Sequence, residues 1–278
     1  MTPAVLALVL GAAALHATWN ALLRSGADRL WSVTVMSLAT SLVSLPIALL
    51  LPMAAPASWP YLGLATGLHT GYSLFLVTAY RHGDFGQVYP IARGSAPLLV
   101  TLGAAILAGE ELSAQSLLGI ALISFGVFAL AGPRKGAKPA AIASALLTGL
   151  FIASYTVTDG IGSRLAGNPL AYSSSLFLTY GIVMPLVFLI RRRAPPRGLR
   201  SREGLKAAGG GLVSLVAYAL VISAVALGPM GPVSALRETS VVFAALIARL
   251  FLREALSPRR ALAALAICIG AGCLGLSD

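Results

Sequence analysis

Polar side chains one helical turn apart recur in segments of this chain that are otherwise apolar, and their types define the chemistry open to it. In "LHATWNALLR" (15–24), His16 and Asn20 stand four residues apart, with Trp19 beside them. Tyr89 and Arg93 repeat the spacing, as do Tyr155 and Asp159. On a helix such pairs share one face. "HTGYS" (69–73) adds His69, Tyr72 and Ser73, Tyr218 interrupts a further apolar run, and Arg237 and Glu238 are adjacent. A charged group in hydrocarbon costs at least about 2.5–3.5 kcal/mol on insertion scales, so each of these must face protein or water. Arg93 and Arg237 are permanent cations whose planar donors fit a carboxylate or phosphate. Asp159 or Glu238 could meet an ammonium, and Trp19, Tyr72, Tyr89 and Tyr155 could pack on apolar groups or cations. A zwitterion fits both signs. His16, Asp159 and Glu238 are also possible proton carriers.

Structural readings stand beside these. Arg93 could pair with Asp159 or another acid to close the bundle, Arg237 with Glu238 could be half of a gate, and Trp19 could be packing. Glu110 and Glu254 read as contacts at helix ends. Enzyme signatures are missing: the chain has no H-E-x-x-H, nucleophile elbow, phosphate loop or Cys/His ligand cluster. No cofactor and no metal are expected. Cys268 and Cys273, five apart in one apolar run, would point to different sides of a helix and are read as packing residues.

The elements that must hold these residues are membrane spans. Of 278 residues, 58% are hydrophobic and 10% charged, whereas soluble domains carry about a quarter charged. Ten candidate spans cover roughly 3–24, 30–52, 60–81, 86–108, 114–132, 139–161, 169–190, 205–227, 230–252 and 258–276, each long enough for about 30 Å of hydrocarbon. Pro90 and Pro97 are expected to interrupt the fourth. The net charge of +11 does not point to nucleic acid, because 16 of 20 Lys+Arg lie in the odd loops, those after spans 1, 3, 5, 7 and 9, and the other loops and both termini carry only Arg164. The positive-inside rule then places the odd loops in the cytoplasm and both termini outside.

The chain also repeats. A gapless shift of 144 residues lays 79–132 on 223–276 with ten of 54 positions identical, among them Arg93 with Arg237, Glu110 with Glu254, Ser113 with Ser257 and Gly126 with Gly270. "HATWNALLR" corresponds more loosely to "YTVTDGIGSR", Asn20 falling on Asp159. The fold expected is an all-α polytopic membrane protein whose ten transmembrane helices form two five-helix repeats, 1–133 and 139–278, the second inverted by the odd span count. Inverted repeats around a midplane site are a transporter design. The spans carrying polar residues are 1, 3, 4, 6, 8 and 9, which would line a central cavity.

Two inverted five-span repeats, "WN" in the first helix and "GEELSAQSLLGIALISFGV" (109–127) resemble the EamA-type members of the drug/metabolite transporter superfamily. "YPIARGSAP" (89–97) is similar to the branch that includes YddG-type amino-acid exporters. The resemblance covers essentially the whole chain. It implies a basket-like bundle around a cavity, spans 5 and 10 at the periphery, and export of small metabolites by alternating access from a bacterial cytoplasmic (inner) membrane. Amino acids are the favoured substrates, with membrane lipid as surroundings and a proton as a possible partner. An organic-cation or multidrug exporter is the rival; a lipid-modifying enzyme or a channel is more remote. The small multidrug branch relies on an acid in its first helix, where this chain has His16 and Asn20. Oligomeric state is left open; small residues on spans 5 and 10, such as Ala266 and Gly270, could pack within the protein or in a dimer.

Overall fold

A computed structural model describes the backbone of residues 1–23, 28–82, 85–131, 139–251 and 257–276, and side chains over 1–19, 28–75, 88–131, 139–250 and 257–276. Among these residues the regular elements are helices: α1 (Pro3–Leu23), α2 (Arg29–Leu50), α3 (Trp59–His82), α4 (Phe85–Ala108), α5 (Ala114–Ala129), α6 (Pro139–Leu165), α7 (Pro169–Arg192), α8 (Arg202–Leu227), α9 (Met230–Arg237), α10 (Ser240–Phe251) and α11 (Pro258–Gly275), with a 3-10 turn before α3. Six of them, α2, α4, α6, α7, α8 and α11, have the length and hydropathy to cross a membrane, and α1 and α5 contribute shorter apolar stretches. Large apolar side chains such as Leu42, Ile106, Phe125, Ile182 and Leu250 stand exposed on the outside of the bundle, as lipid-facing positions do.

Capping residues set where helices begin. Asp28 opens α2 by accepting from the Trp31 N–H, and Asn168 opens α7 by accepting from Leu170 and Ala171. Ser113 and Ser257, matched by the repeat, both cap helices: Ser113 accepts from the Ser116 N–H and Ser257 from the Arg260 N–H. Such oxygens satisfy backbone donors that a helix start leaves unpaired.

Two expectations about helix interruption are corrected. Span 4 is not broken at its prolines: α4 continues through Pro90 and Pro97. Its repeat counterpart, expected as one helix, is the broken one, ending as α9 at Arg237 and resuming as α10 at Ser240. At the break the Glu238 and Thr239 N–H groups bond the carbonyls of Ala235 and Leu236, three residues back, and Val241 and Val242 bond those of Glu238 and Thr239. These tight i to i−3 bonds let the chain cross the interruption without stranding its backbone groups. Helix α9 lacks a cap of its own. Glu110, from the loop before α5, supplies one by accepting from the Met230 N–H at 2.8 Å.

Packing joins the two halves of the chain throughout. α1 lies on α8 and α3 on α6; α4 lies on α6 and α1 on α9 and α10; α2 packs on α7, and α5 on α11. The α5–α11 contact is backbone to backbone: a Cβ on Gly270 would stand 2.7 Å from the Gly119 carbonyl, and one on Gly119 2.9 Å from that of Gly270. The small residues of spans 5 and 10 therefore pack within the protein. The core between the halves is apolar, built around Val9, Val100, Ile123, Val225, Leu236 and Ile267.

The loops sort into two ends, as the charge parity requires. At one end Ala55 bonds Ala166, Arg164 pairs with Glu110 at 2.6 Å, and Thr2 shares a cleft with Glu111 and Gly228. At the other, Arg192 pairs with Asp28 at 2.6 Å, the Trp31 indole donates to the Arg197 carbonyl, and Arg259 donates to that of Ala129.

Candidate functional site

Two polar clusters stand inside the bundle. The first is centred on Asp159, 1% exposed, on α6. Its Oδ1 accepts from the Tyr172 hydroxyl of α7 at 3.0 Å, and its Oδ2 from the Tyr218 hydroxyl of α8 at 2.5 Å. His69 Nε2, on α3, lies 2.9 Å from the same Oδ2. Two hydroxyls and an imidazole from three other helices thus converge on one carboxylate. Burial of an acid demands such company, since an unpaired carboxylate in this medium costs several kcal/mol. The His69 ring stacks on Tyr155, centroids 4.1 Å apart, and meets the edge of Tyr218 at 5.2 Å. Tyr72 packs edge-on against Tyr155 at 5.6 Å. Ser73 bonds Tyr180 of α7 at 2.8 Å. The result is an aromatic wall fixed from behind by Asp159.

The second cluster holds the arginines. Arg93, on α4, donates from Nε to Glu238 Oε2 at 2.8 Å, with side-chain exposures of 4% and 0%. The acid comes from the break between α9 and α10, so this ion pair ties the two halves together. Arg237, the last residue of α9, is also buried. Both guanidiniums lie within electrostatic reach of His16 and Tyr89, and Tyr72 and Tyr155 within that of Arg93. Two buried cations thus lie within electrostatic reach of one buried carboxylate, to which Arg93 is hydrogen-bonded. Among the described residues no hydrogen-bond partner meets Arg93 Nη2, Arg237 Nε, Arg237 Nη2 or Glu238 Oε1, all of them buried.

Of the residues singled out in the sequence, His69, Tyr72, Tyr155, Asp159 and Tyr218 meet in the first cluster, and His16, Tyr89, Arg93, Arg237 and Glu238 in the second. Trp19 packs edge-on against His16 at 5.2 Å, its buried indole N–H without a partner among the described residues. The Asn20 side chain and Glu254 lie outside the described residues. Arg93 chooses Glu238 over Asp159 as its acid. Tyr172 joins the first cluster although it was not singled out in the sequence. It opens "YSSS", where three serines look like interhelical donors, yet the tyrosine makes the cross-helix bond and Ser174 turns back to its own helix at the Ala171 carbonyl. Glu110 and Arg164 act at a helix end as expected of Glu110; Arg164 reaches the Val225 and Gly228 carbonyls as well.

Helices crossing the membrane many times, with buried charge held between the two halves of the chain, define a multi-pass membrane protein with a polar interior. The family described as the EamA-like transporter family matches residues 139–276. The match falls on the second half of the chain, which is similar to that family. No curated protein matches the sequence. A solved crystal structure at 21% identity is similar over 99% of this chain and 98% of its own, with a TM-score of 0.79; at that identity it speaks for the fold.

Proposed function

We propose that this protein exports small metabolites, amino acids first among them, across the bacterial cytoplasmic membrane by alternating access. The observation that carries the reading is the imbalance of buried charge: Arg93 and Arg237 against Glu238, beside an aromatic wall. Two guanidiniums and one carboxylate leave the second cluster one positive charge in excess, Asp159 being engaged in the first cluster, and that excess suits a substrate carboxylate. The rings of Tyr72 and Tyr155 offer surface for an apolar side chain.

Alternating access draws support from the packing. Exchanging the two halves in order turns the α1–α8 contact into α6–α3, turns α4–α6 into α9/α10–α1, and returns α2–α7 and α5–α11 to themselves. Such an exchange is what a pseudo-two-fold between inverted five-helix repeats produces. The 16-to-1 division of basic residues favours cytoplasmic odd loops and external termini. A cation exporter is the second reading. The aromatic wall favours it, whereas Asp159, the acid nearest that wall, has both oxygens engaged.

Flux from proteoliposomes loaded with amino acids, organic cations and sugars tests the proposal. Selective loss of amino acids is expected, and repeating it across a pH gradient reports whether protons are coupled. Loss of the cations with amino acids retained would overturn the substrate class.

A further inference from the structure

The orphaned atoms of the second cluster are not scattered. On a guanidinium, Nε–H and one Nη2–H lie along the same edge and point the same way, forming the side-on fork that grips both oxygens of a carboxylate. Arg237 has both atoms of that edge buried with no acceptor among the described residues. Arg93 differs: its Nε is committed to Glu238 Oε2. That bond is single where a fork could have made two, leaving Arg93 Nη2 and Glu238 Oε1 unmatched. Buried ionic atoms without partners are costly, and each calls for an explanation.

We propose a division of labour, which rests on the amino-acid reading above: the Nε/Nη2 edge of Arg237 receives the substrate α-carboxylate, and Glu238 Oε1 receives its α-ammonium. Arg93 is then a positioning residue. It orients Glu238 through Oε2 without taking the substrate carboxylate itself. Arg237 and Glu238 are consecutive, so one break in one helix presents both halves of the receptor. Asp159 is left out, its two oxygens already accepting from Tyr172 and Tyr218. The substrate class that follows is a free α-amino acid with both termini unblocked, its side chain directed to the rings around Tyr72 and Tyr155.

Three ligands with a common phenyl group separate the two subsites: L-phenylalanine, phenethylamine, which lacks the carboxylate, and 3-phenylpropionate, which lacks the ammonium. Binding to the purified full-length protein is measured by equilibrium dialysis of labelled phenylalanine, with the other two as competitors. Arg237→Gln should weaken phenylalanine and 3-phenylpropionate roughly ten- to hundredfold, the worth of hydrogen bonds to a charged group, and leave phenethylamine nearly unchanged. Glu238→Gln should weaken phenylalanine and phenethylamine and spare 3-phenylpropionate. If Glu238→Gln does not fold, the Arg93→Met/Glu238→Met double variant removes the ion pair as a unit; it should keep 3-phenylpropionate and lose phenethylamine. Unchanged phenylalanine binding in Arg237→Gln overturns the assignment, as does a carboxylate loss that follows Arg93→Gln instead, or failure of the wild type to bind any of the three. Flux separates the two levels. If wild-type vesicles release amino acids while these binding patterns fail, only the subsite assignment falls; if they release none, the functional reading falls with it.

Discussion

The Arg93–Glu238 pair shows how much of the site is decided by single atoms. Removing one member leaves the other charged and buried, which in proteins costs about 3–5 kcal/mol. Glu238→Ala, which strands two guanidiniums, should lower the thermal midpoint of the detergent-solubilised protein by more than the Arg93→Met/Glu238→Met replacement does. Equal losses would mean that the pair contributes nothing beyond its volume. Asp159 is a milder case, because its donors are several. Tyr172→Phe should cost about 1–3 kcal/mol, the range for a buried acceptor losing one partner, and double-mutant cycles with Tyr218→Phe should show coupling through the shared carboxylate. Independent effects would indicate that the two hydroxyls do not act on one group. The identities of most of these residues were legible in the sequence, since a charge in an apolar run has few innocent readings. Their partners were not. Arg93 and Glu238 are 145 positions apart, and nothing in either segment favours that pairing over Arg93 with Asp159.

Among the helices, legibility followed chemistry that acts locally. Ser113 and Ser257 match under the repeat, and each caps a helix by bonding the N–H three residues on. Replacing either with Ala should cost about 1 kcal/mol. The break between α9 and α10 has no such local signal. The prolines, Pro229 and Pro232, sit at the start of α9, and the interruption falls at Glu238 and Thr239. Pro90 and Pro97 mark a helix that does not stop. Tertiary contacts decide here: Glu238 is drawn to Arg93, and α9 is anchored at its other end by Glu110. The α5–α11 contact gives a sharp test of helix packing. Gly270→Ala meets a backbone carbonyl and should destabilise by about 1–3 kcal/mol. Gly272→Ala, two residues along the same helix, meets nothing within 4 Å and should be neutral or gain up to about 1 kcal/mol from helix propensity. A matching effect at both positions would mean that the close approach of α5 and α11 is absent in the membrane.

For the molecule as a whole, the sorting of loops into two ends is structural, while their sidedness rests on charge. With Cys268 and Cys273 replaced by Ala, single cysteines at Thr2 and at Arg197 should behave oppositely toward an impermeant maleimide in intact cells. Thr2→Cys should react and Arg197→Cys should need permeabilisation; the reverse pattern would invert the orientation. Arg93 belongs to the first half of the chain and Glu238 to the second, so their bond is a latch across the parting line, and a cargo ammonium on Glu238 Oε1 would weaken the hold of Oε2 on Arg93. The unloaded carrier should then be slow to turn round, and the loaded one quick. In vesicles, one-for-one exchange of labelled for unlabelled amino acid should outrun net efflux, and weakening the latch with Arg93→Lys should narrow that gap by speeding the empty return. Equal rates of exchange and efflux in the wild type would mean that the latch does not limit turnover.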